Sequence, residues 1–203
     1  MSYGDKLSNY QGDCSILLGR YSMFSDYIKE FAQNSIGDGL DIGAGPQGLN
    51  GKYFTSCDSL DGCDADTDVV KSLSKDIYSK TFQYFLGSVQ RLPYDDESKD
   101  FIVCSCVIQH LSNFQELEVG VEEISRVLKT DCLFYLMFKS GTNDTNLTHT
   151  NSIYNEVRTF RVFHPQDVEH MCQRHGLRIL SSETLLDDNW IPYSCLIFSK
   201  TQK

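Results

Sequence analysis

The segment Gly39-Leu-Asp-Ile-Gly43-Ala-Gly45-Pro-Gln-Gly48 constrains this chain more than any other. A short apolar run, the pattern of a buried strand, passes straight into glycines. Glycine lets the backbone turn tightly and approach a ligand, with free N–H groups available at the start of the next segment. A second apolar run, Ser59-Leu-Asp-Gly-Cys-Asp64, ends in an acid at the distance expected for a carboxylate accepting hydrogen bonds from two ribose hydroxyls. Read literally, Gly43, Gly45 and Gly48 make the dinucleotide string G-x-G-x-x-G. That string is weak alone, and the acid supports a ribose without naming the cofactor. The competing reading is a plain strand–turn connection with a solvent-facing acid. Turn and acid in this order favour a nucleotide site.

Strand and helix patterns alternate around this unit. Residues 20–34 place Phe24, Tyr27, Ile28 and Phe31 at helical spacing. A helix is expected over Val69–Ile77 and a strand over Thr81–Leu86. Asp100–Val107 reads as a parallel strand buried on both faces. Phe114–Leu128 carries Leu117, Val121, Ile124 and Leu128 on one helical stripe, and Leu133–Phe138 reads as another buried strand. Pro165–His175 reads as a helix, with Pro165 in its first turn and Gly176 as its stop. Leu177–Ser182 and Ser194–Ser199 read as strands. The alternation predicts an α/β fold with a doubly wound, mostly parallel sheet, in a single domain of 203 residues. Ser140–Phe163 is polar and reads as a long loop of the kind that often forms a lid.

Composition removes several classes of function. Apolar residues make up 40% of the chain, yet no unbroken run approaches the roughly 20 residues of a membrane span. The net charge is -10, and the densest basic segment is only Arg158–Arg161, so a phosphate-backbone partner is not expected. The eight cysteines include no CxxC pair. Several fall in apolar runs, as in Ile-Val-Cys104-Ser-Cys106-Val, where the thiol is a small buried hydrophobe. No zinc or other metal site is expected. Met1–Lys6 is not a basic segment leading into an apolar one, so the expected location is cytoplasmic.

Further segments carry a resemblance. Asp41-Ile-Gly-Ala-Gly resembles the first motif of the class I S-adenosylmethionine-dependent methyltransferases, of the type 11/25 kind. Gly-Cys-Asp64-Ala-Asp66 is similar to that family's ribose segment, and Gly87-Ser-Val-Gln-Arg-Leu92-Pro93-Tyr94 to the segment lining the adenine. Asp100–Leu111, ending in His110-Leu111, resembles the fourth strand and its following motif. Glu122-Glu-Ile-Ser-Arg126-Val-Leu-Lys129 is similar to the helix before the fifth strand. Five such segments in order, over roughly residues 38–140, are far more specific than one glycine string.

The resemblance implies a Rossmann-like seven-stranded sheet with an antiparallel C-terminal strand and helices on both faces. It divides the domain into a helical cap (1–35), a cofactor-binding core (36–140), a lid or substrate loop (141–163) and a C-terminal helix with strands (164–203). The cofactor implied is S-adenosyl-L-methionine, leaving S-adenosyl-L-homocysteine. Asp41, Gly43, Ala44 and Gly45 would hold its methionine portion and Asp64 and Ala65 its ribose. Ser88, Val89 (through its backbone), Leu92 and Cys106 would complete the pocket. Asp41 has a local alternative, capping the turn with its carboxylate.

His110 is the candidate general base for an acceptor that arrives protonated; its competing role is packing at a strand–helix junction. Tyr10, Tyr21, Met23, Tyr154 and Arg158 are candidate substrate residues, with Arg158 or Arg161 facing either a substrate carboxylate or a surface acid. The expected acceptor is a small molecule; the alternatives are tRNA or protein N-methylation, a dinucleotide-dependent oxidoreductase, or a non-catalytic partner subunit of the same fold. Gln47, Ser88 and Lys129-Thr-Asp-Cys depart from the family pattern, and the first two bear on cofactor affinity. The length speaks against the oxidoreductase, which normally adds a substrate domain.

Overall fold

Strand β4 (Lys99–Ser105) carries the unbroken run Phe-Ile-Val-Cys, and the core packs on both of its faces: Phe101 to Cys104 are at most 1% exposed. The computed structural model describes residues 22–45, 48–142, 145–151, 156–186 and 191–202. Its main sheet holds β1 (Asp38–Ile42), β2 (Ser59–Asp64), β3 (Lys80–Gln83), β4, β5 (Leu128–Lys139), β8 (Leu177–Leu186) and β9 (Pro192–Lys200). The order is β3-β2-β1-β4-β5-β9-β8. Strands β3 through β5 pair in parallel, whereas β9 runs antiparallel to both β5 and β8. The parallel set brings Ile42, Asp64, Ser105 and Lys139 to one carboxyl edge, where open α/β sheets bind ligands.

Helices α1 (Ser22–Gln33), α2 (Thr67–Ser72), α3 (Phe114–Val127) and α4 (Pro165–Arg174) cover the sheet. One face packs Leu117, Val121 and Ile124 of α3 and Val168 and Met171 of α4 against Leu40, Ile102 and Phe134. The other packs Ile28, Phe31 and Ala32 of α1 with Phe54, Phe101 and Tyr135. There the Phe54 and Phe101 rings stack with centroids 5.2 Å apart.

Several boundaries differ from the sequence reading. Helix α2 stops at Ser72 rather than Ile77, because Leu73 turns to an extended conformation and Ser74–Ile77 form a turn. Strand β3 ends at Gln83, three residues short of Leu86, whose side chain drops into the core. Strand β5 starts at Leu128, and a bulge opposite Lys99–Phe101 takes up the extra residues with Asp131 at φ 62°. The stretch read as a loop contains an antiparallel pair, β6 (Thr145–Asn151) with β7 (Glu156–Val162). Its threonine, valine and phenylalanine content is strand-like, which the polar residues concealed. Among the described residues no helix is long and apolar enough to cross a membrane.

Lys99 and Asp61 meet at 2.8 Å with side chains 6% and 10% exposed, and the Tyr94 hydroxyl donates to the same carboxylate oxygen at 2.6 Å. Lys99→Met therefore strands a buried carboxylate, and urea unfolding should report a loss of about 3 kcal/mol. A loss under about 1 kcal/mol, the range of an exposed ion pair, would contradict this reading.

Candidate functional site

Past Ile42 the chain turns back on β2. The amides of Gly43 and Ala44 both donate to the Cys63 carbonyl, at 2.8 and 2.9 Å. Gly43 sits at φ 70°, and a Cβ there would run into the Val107 side chain at the end of β4. Gly45 has φ 68° and open space where its Cβ would stand. Only glycine meets both demands without strain: a close approach on one side and a bare backbone facing a cavity on the other.

The Asp64 carboxylate is fixed from two directions. Oδ2 accepts from the Gly45 amide at 3.1 Å and Oδ1 from the Asp66 amide at 3.0 Å. Each oxygen retains a lone pair, so the geometry presents two acceptors side by side. Burial pushes this carboxyl above its ordinary range, while the two amides pull it back. Ala65, beside it, is exposed, and its carbonyl accepts from Gln83 Nε2 at 2.8 Å. Asp66 accepts from the Asp68 amide and caps α2.

Asp41 lies below the turn at 0% exposure. Its Oδ2 accepts from the Tyr78 hydroxyl at 2.7 Å; its Oδ1 is buried without a hydrogen-bond partner. Burial pushes its carboxyl up to about 7, and the neighbouring Asp64 charge adds to the rise. Asp41 does not cap the turn, since the Gly43 and Ala44 amides go to the Cys63 carbonyl and the Gly45 amide to Asp64. Tyr78 escaped the sequence reading. Its ring occupies the space where side chains at Gly48 and Gly62 would be, each ideal Cβ coming within 2.6 Å of it. The only signal in the sequence was that glycines recur on both sides of β2's start.

At the end of β4, Cys106 adopts φ 59°, a left-handed conformation unusual for a residue with a side chain, and its amide donates to the Met137 carbonyl at 2.8 Å. This kink carries Val107 onto Gly43. Burial pushes the Cys106 thiol up to about 12, with the Lys139 charge opposing it, so the thiol stays protonated at neutral pH. His110 ends a 3₁₀ turn (Ile108–His110) as an exposed residue, its ring edge-on to Phe160 at 5.3 Å.

Residues Asp41, Gly43, Ala44, Gly45, Asp64 and Cys106 thus gather along the carboxyl edge. In the segment after β3, Ser88 is partly buried and Val89 is 93% exposed. Leu92 is 2% exposed, with its side chain in the core and its amide and carbonyl bonded to Glu123 and Arg126, so it does not line the open edge as the sequence suggested. Arg161 donates to the Ser112 carbonyl at 2.8 Å and lies over the Phe163 ring. Tyr10, Tyr21 and Tyr154 lie outside the described residues, as does Gln47. Met23 belongs to α1 and Arg158 to β7, where the backbone alone is described.

Residues 40–136 match the model of a family described as a methyltransferase domain. An uncharacterised methyltransferase of Bacillus subtilis, YcgJ, is 28% identical over 122 residues, 59% of this chain. That match spans 47% of YcgJ, about half the relative's length. The YcgJ crystal structure superposes with a TM-score of 0.65 at 18% identity, covering 87% of this chain and 98% of the other. A Clostridium acetobutylicum S-adenosylmethionine-dependent methyltransferase gives 0.68 at 13% identity, covering 98% and 96%. The 1,6-didemethyltoxoflavin-N1-methyltransferase of Burkholderia thailandensis, solved with bound 1,6-didemethyltoxoflavin and S-adenosylhomocysteine, gives 0.68 at 13% identity, covering 98% and 86%. At these identities the solved structures establish the fold.

Asp41 makes stability pH-dependent. Its folded carboxyl holds a proton that the unfolded chain releases near 3.8, so its contribution is full below that value and fades as pH rises through about 7. Carboxyls held low, Asp96 by Arg126 and Glu97 by the Thr130 hydroxyl and then Lys200, change only at more acid pH. Urea unfolding should therefore give a stability that falls by about 2 kcal/mol more in wild type than in Asp41→Asn between pH 5 and 7. Parallel curves for the two proteins would contradict the buried, protonatable carboxyl.

Proposed function

We propose that this chain, whose residues 40–136 match a methyltransferase-domain model, transfers a methyl group from S-adenosyl-L-methionine to a small-molecule acceptor. The observation that carries the proposal is the Asp64 carboxylate, locked by the Gly45 and Asp66 amides and holding two outward lone pairs beside a bare glycine turn. Two adjacent acceptors match the two hydroxyls of a ribose. The residues present fit the rest of that cofactor. Asp41 Oδ1 is a buried oxygen without a partner, suited to the ammonium of an amino-acid group, and the space over Gly45 admits its backbone-sized end.

The cofactor supplies a methyl group on a sulfonium, already activated for in-line displacement. What remains for the chain is to bind and orient, a contribution reaching about 7–11 kcal/mol in ideal intramolecular cases. Asp64 and Ala65 would hold the ribose, the Gly43–Gly45 turn with Asp41 the methionine portion, and Ser88 with the Val89 backbone the adenine, Leu92 anchoring that segment in the core. Cys106 would stand by as a neutral thiol closing the floor of the pocket. His110, exposed at the same edge, would take a proton from an acceptor that arrives protonated. A small acceptor accords with the acidic chain, which offers no basic stripe for RNA.

Calorimetric titration with S-adenosylhomocysteine, with NADH as control, checks the reading. Micromolar binding of the first, none of the second, and at least about a hundredfold loss in Asp64→Ala are expected, since one carboxylate anchors two hydroxyls. NADH binding alone, or neither ligand bound by folded protein, would reject the proposal.

A further inference from the structure

We propose that Arg126, acting with Glu123, is a positioning residue that sets the adenine-bearing segment against the ribose acid. The inference rests on the methyltransferase reading above. The segment between β3 and β4 contains no strand or helix, and its internal hydrogen bonds are local: Ser88 N–H to the Phe85 carbonyl, Gln90 N–H to Ser88 Oγ, and Tyr94 N–H to the Leu92 carbonyl. None of these ties it to the sheet. Helix α3 supplies the missing anchors. The Leu92 amide donates to Glu123 Oε2 at 2.8 Å, and Arg126 donates to the Leu92 carbonyl at 3.2 Å and the Tyr94 carbonyl at 2.8 Å.

Arg126 also donates to both Glu123 oxygens, at 2.7 and 2.8 Å, and to Asp96 at 2.8 Å. A planar guanidinium can address these acceptors in one geometry, whereas a lysine ammonium is a point charge with three rotating donors. From the clamped Tyr94 the network continues: its hydroxyl donates to Asp61, which stands on β2 three residues before Asp64. At the segment's other end, the Tyr84 amide donates to the Asp64 carbonyl at 2.9 Å. Both ends of the segment are therefore referred to the strand that carries the ribose acid.

The part held between those anchors has the character of an unfilled wall. Among the described residues, the exposed large apolar side chains include Phe85 at 43% and Val89 at 93%, both on this segment. A flat aromatic base is the ligand chemistry that covers such groups, and an adenine is the base the proposed cofactor brings. The donors of Arg126 go to Glu123, to Asp96 and to the Leu92 and Tyr94 carbonyls. Its effect reaches the ligand through the backbone it holds, in the manner of groups that orient others around a bound ligand.

The test is S-adenosylhomocysteine titration of the full chain as wild type, Arg126→Lys and Tyr94→Phe, each well below its melting midpoint. Amide exchange is followed in residues 84–98, with α1 as reference. Arg126→Lys should bind about tenfold more weakly, a loss of about 1.4 kcal/mol, while exchanging faster in 84–98 and unchanged in α1. Ligand should slow that exchange in wild type far more than in the variant, which a merely structural role would not produce. Should Arg126→Lys fail to fold, Tyr94→Phe removes only the hydroxyl link to Asp61 and should also weaken binding several-fold. Variants binding within about twofold of a wild type that binds well would overturn the inference alone. A wild type that does not bind would remove the methyltransferase reading, and this inference with it.

Discussion

A carboxyl without access to water lies under the ligand edge of this sheet, and one hydrogen bond makes it tolerable. Tyr78 donates to Asp41 Oδ2 from a ring that is itself buried. Burial alone would cost such a group dearly; the phenol hydroxyl and a raised pKa together keep it in place. Gly43 is glycine because of Val107, and Gly48, Gly51 and Gly62 because of that ring, which fill the volume side chains would need. With the turn pressed flat, its amides reach Cys63 and Asp64, and the Asp64 carboxylate is fixed in turn. Remove the Tyr78–Asp41 bond and each later contact loses its reference.

The second half of the site hangs on a different kind of interaction. Around Asp61, Lys99 and Tyr94, and around Glu123 and Arg126, charges are paired below the surface, and Glu123 and Arg126 also bond to backbone. Such groups are expensive to break because each partner would be left desolvated. They also have fixed geometry, which suits them to hold an irregular segment that carries no regular hydrogen bonding of its own. The two halves meet on β2, which bears Asp61 in its body and Asp64 at its tip.

Much of this could be read from the residues. The apolar runs that begin at Gly39 and Asp100 read as buried strands and form β1 and β4, and the glycines with Asp64 marked a candidate ligand edge, because strand patterns and glycine turns are local signals. What stayed hidden was non-local. Tyr78 precedes a four-residue strand and has no periodicity to mark it; its importance comes from folding back under a turn some thirty residues away in sequence. Helix α2 ended early and β6–β7 paired where loop composition was read, since boundary residues answer to packing more than to propensity. Glu123 and Arg126 were legible as a helix motif, but their grip on Leu92 and Tyr94 spans about thirty residues and no local pattern announces it.

The central claim, that the Asp64 carboxylate and the Gly43–Gly45 turn together receive an adenosyl cofactor, is tested most directly by a crystal structure of the chain with S-adenosylhomocysteine. The account predicts both ribose hydroxyls within hydrogen-bond distance of Asp64, the amino-acid end over Gly45 with its ammonium at Asp41 Oδ1, and the adenine against Val89. Ligand density away from Asp64, or an amino-acid end that leaves Asp41 Oδ1 unpaired, would contradict it.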